Sequence, residues 1–321
     1  MTKAPPTPTT PKSWSSSYVL RWLFEPGLFA NESVRTALVV GAVVAVVSAV
    51  AGIFTVLRGQ SFAGHALTDV ATAGGAGASL AGVAPLVGFI GGGVVGAGAM
   101  DVIGVQRVKG RDIATGVVLG AATGLAALFL YLSTTHSSAT GTTQSILFGS
   151  IFTVQSSTLP EAAVLSAVVL LTLAAIGRPL LLSSVSPELA SARGVHLRTI
   201  GLTFMVVLAV SVGLSAIVIG SILSTALLIG PPASALKLVR RFGAGVALAI
   251  GLGLVATLLG IVLAYDSYYW SSSHRGLPVS FFVVVVVVGE FVLSSLIVRW
   301  RRARVPVVVR AVVADHPVGW H

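Results

Sequence analysis

The sequence has 321 residues, of which 55% are hydrophobic and 9% are charged, and its formal net charge is +10. Soluble globular domains carry roughly 25% charged residues, so this composition excludes an ordinary soluble protein and indicates a polytopic membrane protein. The absence of cysteine excludes disulfide bonds and thiolate metal sites.

The apolar segments predict an all-α membrane protein. Each is ~20 residues long, as a membrane-spanning helix requires, whereas the strands of an outer-membrane barrel would show ~10 residues of alternating polarity. About nine spans are predicted, at residues 34–57, 60–82, 84–104, 112–133, 160–182, 197–217, 219–238, 243–265 and 279–299.

The two ends of the chain differ in composition from this apolar region. Residues 1–33 begin with a Pro- and Thr-rich stretch that predicts a disordered tail, followed by a Trp-, Leu- and Phe-containing segment typical of a helix lying on the lipid surface. We predict a transmembrane domain over residues 34–300 and a cytoplasmic tail over 301–321.

The distribution of basic residues predicts the orientation in the membrane. Arg and Lys cluster in the links GVQRVKGRD, KLVRRF and RWRRAR, which fall on one side of the predicted spans. By the positive-inside rule that side is cytoplasmic, so the net charge reports topology in a cell membrane rather than nucleic-acid binding. STTHSSATGTTQS and DSYYWSSSHRGLP should then face outward.

Small and helix-breaking residues indicate how the spans pack. The pairs Gly92 with Gly96 and Gly116 with Gly120 have the four-residue spacing that lets membrane helices approach closely. Pro231 and Pro232 remove backbone donors, which predicts a kinked or discontinuous span that is either a fixed bend or a moving gate.

Ionisable residues inside a span usually face a cavity or a partner. Glu290 lies deep in the last span, where it either touches a transport path or is paired or protonated elsewhere. His65 and Asp69 are four residues apart, so on a helix they share one face, one turn apart. Imidazole and carboxylate suit zinc or manganese, but a hydrogen bond between the two side chains, or a lone core histidine, explains the spacing equally well.

The residues around this pair carry a resemblance to a known family. The stretch FTVLRGQSFAGHALTDVATAGGAGASLAG resembles the second-helix motif LRR-SF-GDALSHAVLPG of the permease subunits of ABC-type zinc and manganese importers. SPELASARGV and the following spans, ending in IGPPASA, resemble the family's DPELARALGV-type turn and its Pro-Ala kink. The likeness covers about residues 34–300 and implies the helical fold of importers of the cobalamin and metal-chelate type.

The resemblance implies that His65 and Asp69 line a metal path. Their order is reversed, since GHALTD stands where the family has GDALSH, although both ligand types are kept. VATAGG replaces the leucine and proline of the motif, which predicts a looser helix. One such chain supplies half of a translocation path, so a homodimer is expected, with four nitrogen and oxygen ligands across its two-fold axis.

The resemblance also implies partners. The chain has no GxxxxGK[ST] loop, so ATP hydrolysis requires a separate cytoplasmic ATPase dimer. We predict that this dimer docks on a short helix that Pro187 and Glu188 begin and Arg193 and Gly194 end. An extracytoplasmic metal-binding protein would deliver the ion.

The sequence therefore predicts the permease of an ATP-driven importer with Zn²⁺ or Mn²⁺ as transported substrate, zinc favoured, and with no permanently bound cofactor. Two alternatives stay open: an ABC permease for a metal chelate, and a cation- or proton-coupled secondary carrier in which His65 and Asp69 relay protons.

Overall fold

A computed structural model describes residues 31–104, 111–137, 140–149, 151–153, 159–270 and 276–303. The predicted disordered tail and most of the surface segment (1–30) lie outside these residues, as does most of the cytoplasmic tail (304–321). The boundaries predicted for these ends stay predictions.

The described residues form α-helices joined by short links, with one 3₁₀ turn at Ile151–Thr153. In chain order the helices are α1 Glu32–Leu57, α2 Ser61–Leu80, α3 Pro85–Ile103, α4 Arg111–Ser137, α5 Thr140–Phe148, α6 Leu159–Val185, α7 Pro187–Ala192, α8 Leu197–Ile219, α9 Ser221–Leu238, α10 Phe242–Trp270 and α11 Val279–Ala303. The all-α prediction is confirmed for this part of the chain.

Within the described residues, seven helices are long and apolar enough to cross a membrane: α1, α3, α4, α6, α8, α10 and α11. The predicted count of nine spans is not confirmed. The other two predicted spans coincide with α2, which carries several polar residues and glycines, and with α9, which is 18 residues long and contains Pro231 and Pro232. One of these two helices carries His65 and Asp69.

Two helices, α1 and α8, form the centre of the bundle. Both are largely buried, and they are joined by a buried hydrogen bond of 2.7 Å between the hydroxyl groups of Ser48 and Ser215. α4, α6 and α11 instead leave most of their apolar surface exposed, as expected for helices that face lipid or another subunit. α2 therefore has a buried side, which faces α8, and a partly exposed side, which we call its open side.

α2 packs most extensively against α3 and α4, and glycine makes the first of these contacts possible. A Cβ atom added at Gly74 would clash with the carbonyl oxygen of Gly88, and one added at Gly92 would lie 2.8 Å from Gly74 Cα. A Cβ atom added at Gly96 would lie 2.6 Å from Val70 Cγ1. The expectation that VATAGG loosens α2 is therefore wrong, because its glycines remove the side chains that would separate two backbones.

The other predicted glycine pair behaves differently. Gly116, Gly120 and Gly124 on α4 face open space, with no atom within 4 Å of an added Cβ. They make no helix contact within the described part of the chain, so this small-residue ridge is exposed.

Basic side chains tie several helix ends together at one end of the bundle. Arg58 donates to the Ser183 hydroxyl at 3.1 Å, joining the ends of α1 and α6. Arg198, at the start of α8, pairs with Asp101, at the end of α3, at 3.1 Å. This is the end that the basic residues assign to the cytoplasm, and it includes α7.

The two prolines of α9 do not interrupt the helix, which continues from Ser221 to Leu238. Both rings are buried, and an added Cβ at Gly52 of α1 would lie 2.7 Å from Pro232 Cγ and would clash with the carbonyl oxygen of Leu228. The discontinuity allowed by the sequence is thus absent, and the prolines lie where α9 crosses α1 closely.

Candidate functional site

His65 and Asp69 lie on α2, one turn apart, and both side chains are half-buried. The fully buried side of the same helix carries Ala63, Ala66 and Leu67, which pack into the main core. This confirms the expected common face. The structure shows no hydrogen bond between His65 and Asp69, so the internal pair that could have explained their spacing is not formed.

The imidazole of His65 contacts α9. Its Nδ1 atom lies 3.1 Å from the Thr225 hydroxyl oxygen. That oxygen in turn lies 3.3 Å from the hydroxyl oxygen of Thr68, a fully buried residue of α2. The ring is therefore held between two helices rather than left free in a core.

The carboxylate of Asp69 contacts α4 instead. The Thr123 hydroxyl donates a short hydrogen bond to Asp69 Oδ2. Thr123 is exposed although it lies in the middle of α4, and the same hydroxyl lies 2.8 Å from the carbonyl oxygen of Leu119. Because this bond uses Oδ2, the carboxylate keeps Oδ1 as a second acceptor oxygen.

Among the described residues, no three His, Cys, Asp or Glu side chains lie close enough to hold a metal ion together. One chain thus offers one imidazole and one carboxylate at this place. Structural zinc sites almost always have four ligands, so a closed site would require ligands from outside the described residues.

Glu290 is not brought to this site. It lies on α11 in the buried stripe formed by Val283, Val287 and Ser294, and both its carboxyl oxygens are buried without a hydrogen-bond partner among the described residues. Its place on the transport path stays a prediction.

A narrow apolar groove runs beside Thr225, between α9 and α11. Its volume is about 330 Å³, and its lining includes Thr225, Ile229, Gly230, Val287 and Phe291. Pro231 and Pro232 lie on the same stretch of α9, but both are buried and neither lines the groove. Their assignment as a gate is untested.

The predicted ATPase-coupling segment forms a capped helix. Pro187 occupies the first turn of α7, and the Ser186 hydroxyl accepts a hydrogen bond from the Leu189 backbone N–H at 3.4 Å. Arg193 ends the helix, and Gly194 follows with φ of +78°, a conformation that favours glycine. The predicted start and end are confirmed, whereas the coupling role is untested.

Exposure divides α7 into two sides. Ala190 is fully buried against the bundle, while Pro187, Glu188, Leu189 and Arg193 are exposed. An apolar residue with charged neighbours on a solvent-facing helix is a surface on which another protein can pack.

A larger cavity of about 770 Å³ lies at the opposite end of the bundle from α7. It is formed by α5 and the segment before α11, and it is lined by residues that include Gln144, Ser145, Phe148, Gly276 and Leu277. These residues belong to the segments that the charge distribution assigns to the outside.

Sequence reasoning missed the threonines that hold the two candidate ligands. Thr225 and Thr123 stand in apolar spans without a motif, and nothing in the sequence pairs them with α2. The one feature of the sequence that could have indicated their role is a polar side chain within an apolar helix.

Comparisons with known proteins agree with this fold. The profile of the ABC 3 transport family matches residues 30–298. The "Manganese transport system membrane protein MntC" of Listeria monocytogenes is 31% identical over 76% of this chain and 85% of its own length. The "Probable iron transport system membrane protein" of Haemophilus influenzae is 28% identical over 83% and 96%. The "High-affinity zinc uptake system membrane protein ZnuB" of the same organism is 30% identical over 38% and 47%.

Two solved structures share the fold. "PsaBC from Streptococcus pneumoniae in complex with Fab" superposes with a TM-score of 0.69 and 24% identity, covering 86% of this chain and 95% of that one. "An inward-facing conformation of a putative metal-chelate type ABC transporter" superposes with a TM-score of 0.66 and 15% identity, covering 84% and 87%.

The match extends from the first described helix almost to the end of the last, and it includes α2 and α7. This assignment excludes the secondary-carrier alternative, because transport by the family is driven by a separate ATPase subunit. The chain therefore belongs to the ABC 3 transport family and is a multi-pass membrane permease subunit of an ABC metal-ion importer, not an enzyme.

Proposed function

We propose that two copies of this chain form the path of an importer for a divalent transition-metal ion, with His65 and Asp69 as its ligands. The observation that carries the proposal is that one imidazole and one carboxylate share the open side of α2, each held by a threonine from a different neighbouring helix. Ordered nitrogen and oxygen donors of this kind suit Mn²⁺ and Zn²⁺.

The exposed surface beside Asp69 supports the second copy. Thr123 is exposed, and the ridge of Gly116, Gly120 and Gly124 on the same helix meets no other part of the described chain. Small residues at four-residue spacing are typical of contacts between membrane helices. Two copies would supply two imidazoles and two carboxylates, the four ligands that one chain lacks.

The relatives are named for different metal ions. The sequence favoured zinc, but the relative named for manganese matches over 85% of its own length and the one named for iron over 96%, whereas the one named for zinc matches over 47%. We propose that Mn²⁺ and Zn²⁺ are both candidates and that competition between them in uptake identifies the preferred ion.

We also propose the two partner surfaces. The exposed side of α7 would receive the cytoplasmic ATPase dimer, since it lies at the end of the bundle rich in basic residues. The cavity between α5 and the start of α11 would receive an extracytoplasmic metal-binding protein, since it lies at the opposite end.

Substitution of the two ligands tests the function. His65→Ala and Asp69→Ala should each abolish uptake of radioactive Mn²⁺ and Zn²⁺, because each removes two of the four ligands in a dimer. Expression in the membrane and copurification with the ATPase should be unchanged. Glu161→Gln removes a carboxylate from the exposed start of α6, to which no transport role is assigned, and should retain uptake.

Near-normal uptake by both alanine variants would overturn the metal-site assignment. The chelate alternative has its own outcome: a complexed metal would be taken up faster than the free ion, and a strong chelator would not abolish transport.

A further inference from the structure

We propose that Thr225 is a positioning residue for His65, and that it makes Nε2 the ring nitrogen that meets the transported ion. The inference rests on the proposed role of His65 as a ligand. It assigns a part in metal binding to α9, a helix on which the sequence pattern singles out only the two prolines.

A chain of hydroxyl groups leads from the interior of the bundle to His65, and Thr68 is its inner end. Thr68 Oγ1 donates to the carbonyl oxygen of Gly64 at 3.1 Å, within α2. A hydroxyl group has one proton, so Thr68 can take part in a second hydrogen bond only as an acceptor. The group 3.3 Å away that can donate to it is the hydroxyl of Thr225.

The same count then applies to Thr225. If Thr225 donates its single proton to Thr68, as the bond from Thr68 to Gly64 requires, its oxygen accepts a hydrogen bond from His65 Nδ1, 3.1 Å away. In this arrangement Nδ1 carries a proton. The neutral imidazole has one proton on its two nitrogens, which leaves the lone pair of Nε2 free.

A free Nε2 is what a metal ligand requires. Metal-binding histidines commonly donate the other ring N–H to a fixed acceptor, which sets the tautomer and the orientation of the ring. Here that acceptor comes from α9, and the innermost of the three groups, Thr68, is fully buried. The contact between the two threonine hydroxyl groups, at 3.3 Å, is the longest of the three hydrogen bonds.

A purely structural role for Thr225, holding α9 against α2, predicts something different. Under that role the hydroxyl would matter for stability but not for the position of the imidazole proton. The tautomer of His65 in the metal-free protein therefore separates the two roles, and it can be measured without any transport.

The experiment uses the full permease–ATPase complex, metal-free and labelled with ¹⁵N-histidine. Subtracting the nitrogen spectrum of the His65→Asn complex isolates the signal of His65. We expect the Nδ1–H tautomer in the native chain and in Thr225→Ser, and a loss of that tautomer in Thr225→Val. Thr172→Val is the matched control, because within the described part of the chain the Thr172 hydroxyl bonds only to the Val168 carbonyl oxygen of its own helix.

An Nε2–H tautomer in the native chain, or a native-like spectrum in Thr225→Val, would overturn the inference. Size-exclusion chromatography of each complex verifies that the variants fold. If Thr225→Val does not fold, the tautomer of the native chain still tests the inference.

Uptake provides the second readout. Thr225→Val should weaken the apparent affinity for Mn²⁺ by roughly 10–100-fold, the usual cost of losing such a partner, and Thr225→Ser should restore it. Failure of the proposed function is distinct: uptake would then survive His65→Ala whatever the tautomer. If His65→Ala abolishes uptake while Thr225→Val leaves the affinity unchanged, the role of Thr225 alone is wrong.

Discussion

At the scale of single residues, the two candidate ligands of α2 depend on different neighbours. His65 is oriented from α9 and Asp69 from α4, so a shift of either helix would move one ligand relative to the other. An importer must bind an ion and then release it, and ligands held by separate helices give it a simple means of doing so.

The partner of Asp69 provides one test. Thr123→Val keeps the shape of the side chain but removes the donor, so the carboxylate loses a fixed orientation. We expect the apparent affinity for Mn²⁺ to fall by roughly 10-fold, the lower end of the range for such partners. Thr123→Ser should retain the native affinity, and equal affinities for the two variants would show that the hydrogen bond does not position the ligand.

The order of the two candidate ligands along α2 provides a second test. The double substitution His65→Asp with Asp69→His rebuilds the family order and keeps the ligand count. It moves each ligand type by about 6 Å along α2, at ~1.5 Å per residue, and it separates each from its present threonine. We expect slower uptake or a changed preference between zinc and manganese, measured by competition. An unchanged rate and preference would show that ligand order has no functional effect.

At the scale of helices, glycine allows α3 to hold α2 in place. Gly92→Ala would put a Cβ 2.8 Å from Gly74 Cα, a backbone atom, whereas the neighbouring Gly91→Ala would meet no atom within 4 Å. We expect Gly92→Ala to destabilise the protein by about 1–3 kcal/mol, the usual cost of overpacking, and Gly91→Ala to be neutral. Thermal unfolding of the purified complex measures both, and equal effects would contradict close α2–α3 packing.

The short helix α7 provides the test of coupling. Glu188→Lys reverses a charge on its exposed side without touching the buried Ala190. We expect weaker copurification of the ATPase or hydrolysis uncoupled from uptake, with unchanged metal affinity. Glu161→Lys makes the same change at the exposed start of α6, at the other end of the bundle, and should have no effect.

If the Glu188→Lys complex copurifies and transports like the native one, α7 is not the docking segment. Weaker copurification of both charge reversals would point to a general loss of stability instead.

At the scale of the whole molecule, the exposed ridge of α4 predicts where two copies meet. Because the chain has no cysteine, single cysteines report contacts cleanly. Gly120→Cys should give a disulfide-linked dimer under oxidising conditions, since a disulfide requires Cα atoms within about 7 Å of each other. Val168→Cys, exposed on α6, should remain monomeric on a denaturing gel. Cross-linking of Val168→Cys but not Gly120→Cys would place the contact elsewhere.

Much of the architecture was predictable because a bilayer imposes simple rules. Backbone groups in hydrocarbon must bond internally, so long apolar runs such as 243–265 had to be helices, and α10 confirms it. α7 was predictable because Pro187 and Gly194 act through local backbone geometry. The count of spans was less certain, because α2 carries several polar residues and glycines and α9 is only 18 residues long and contains two prolines.

The sequence by itself determined the class of protein, the positions of the helices and the pair His65 and Asp69, because composition, hydropathy and four-residue spacing are local properties. The tertiary structure alone decided that VATAGG tightens α2 against α3, that α9 continues through its prolines, and that Thr225 and Thr123 contact the two candidate ligands. The contact of Asp69 with Thr123 joins residues 54 positions apart, and the contact of His65 with Thr225 joins residues 160 positions apart. Such contacts depend on how helices pack in three dimensions, which no local pattern specifies.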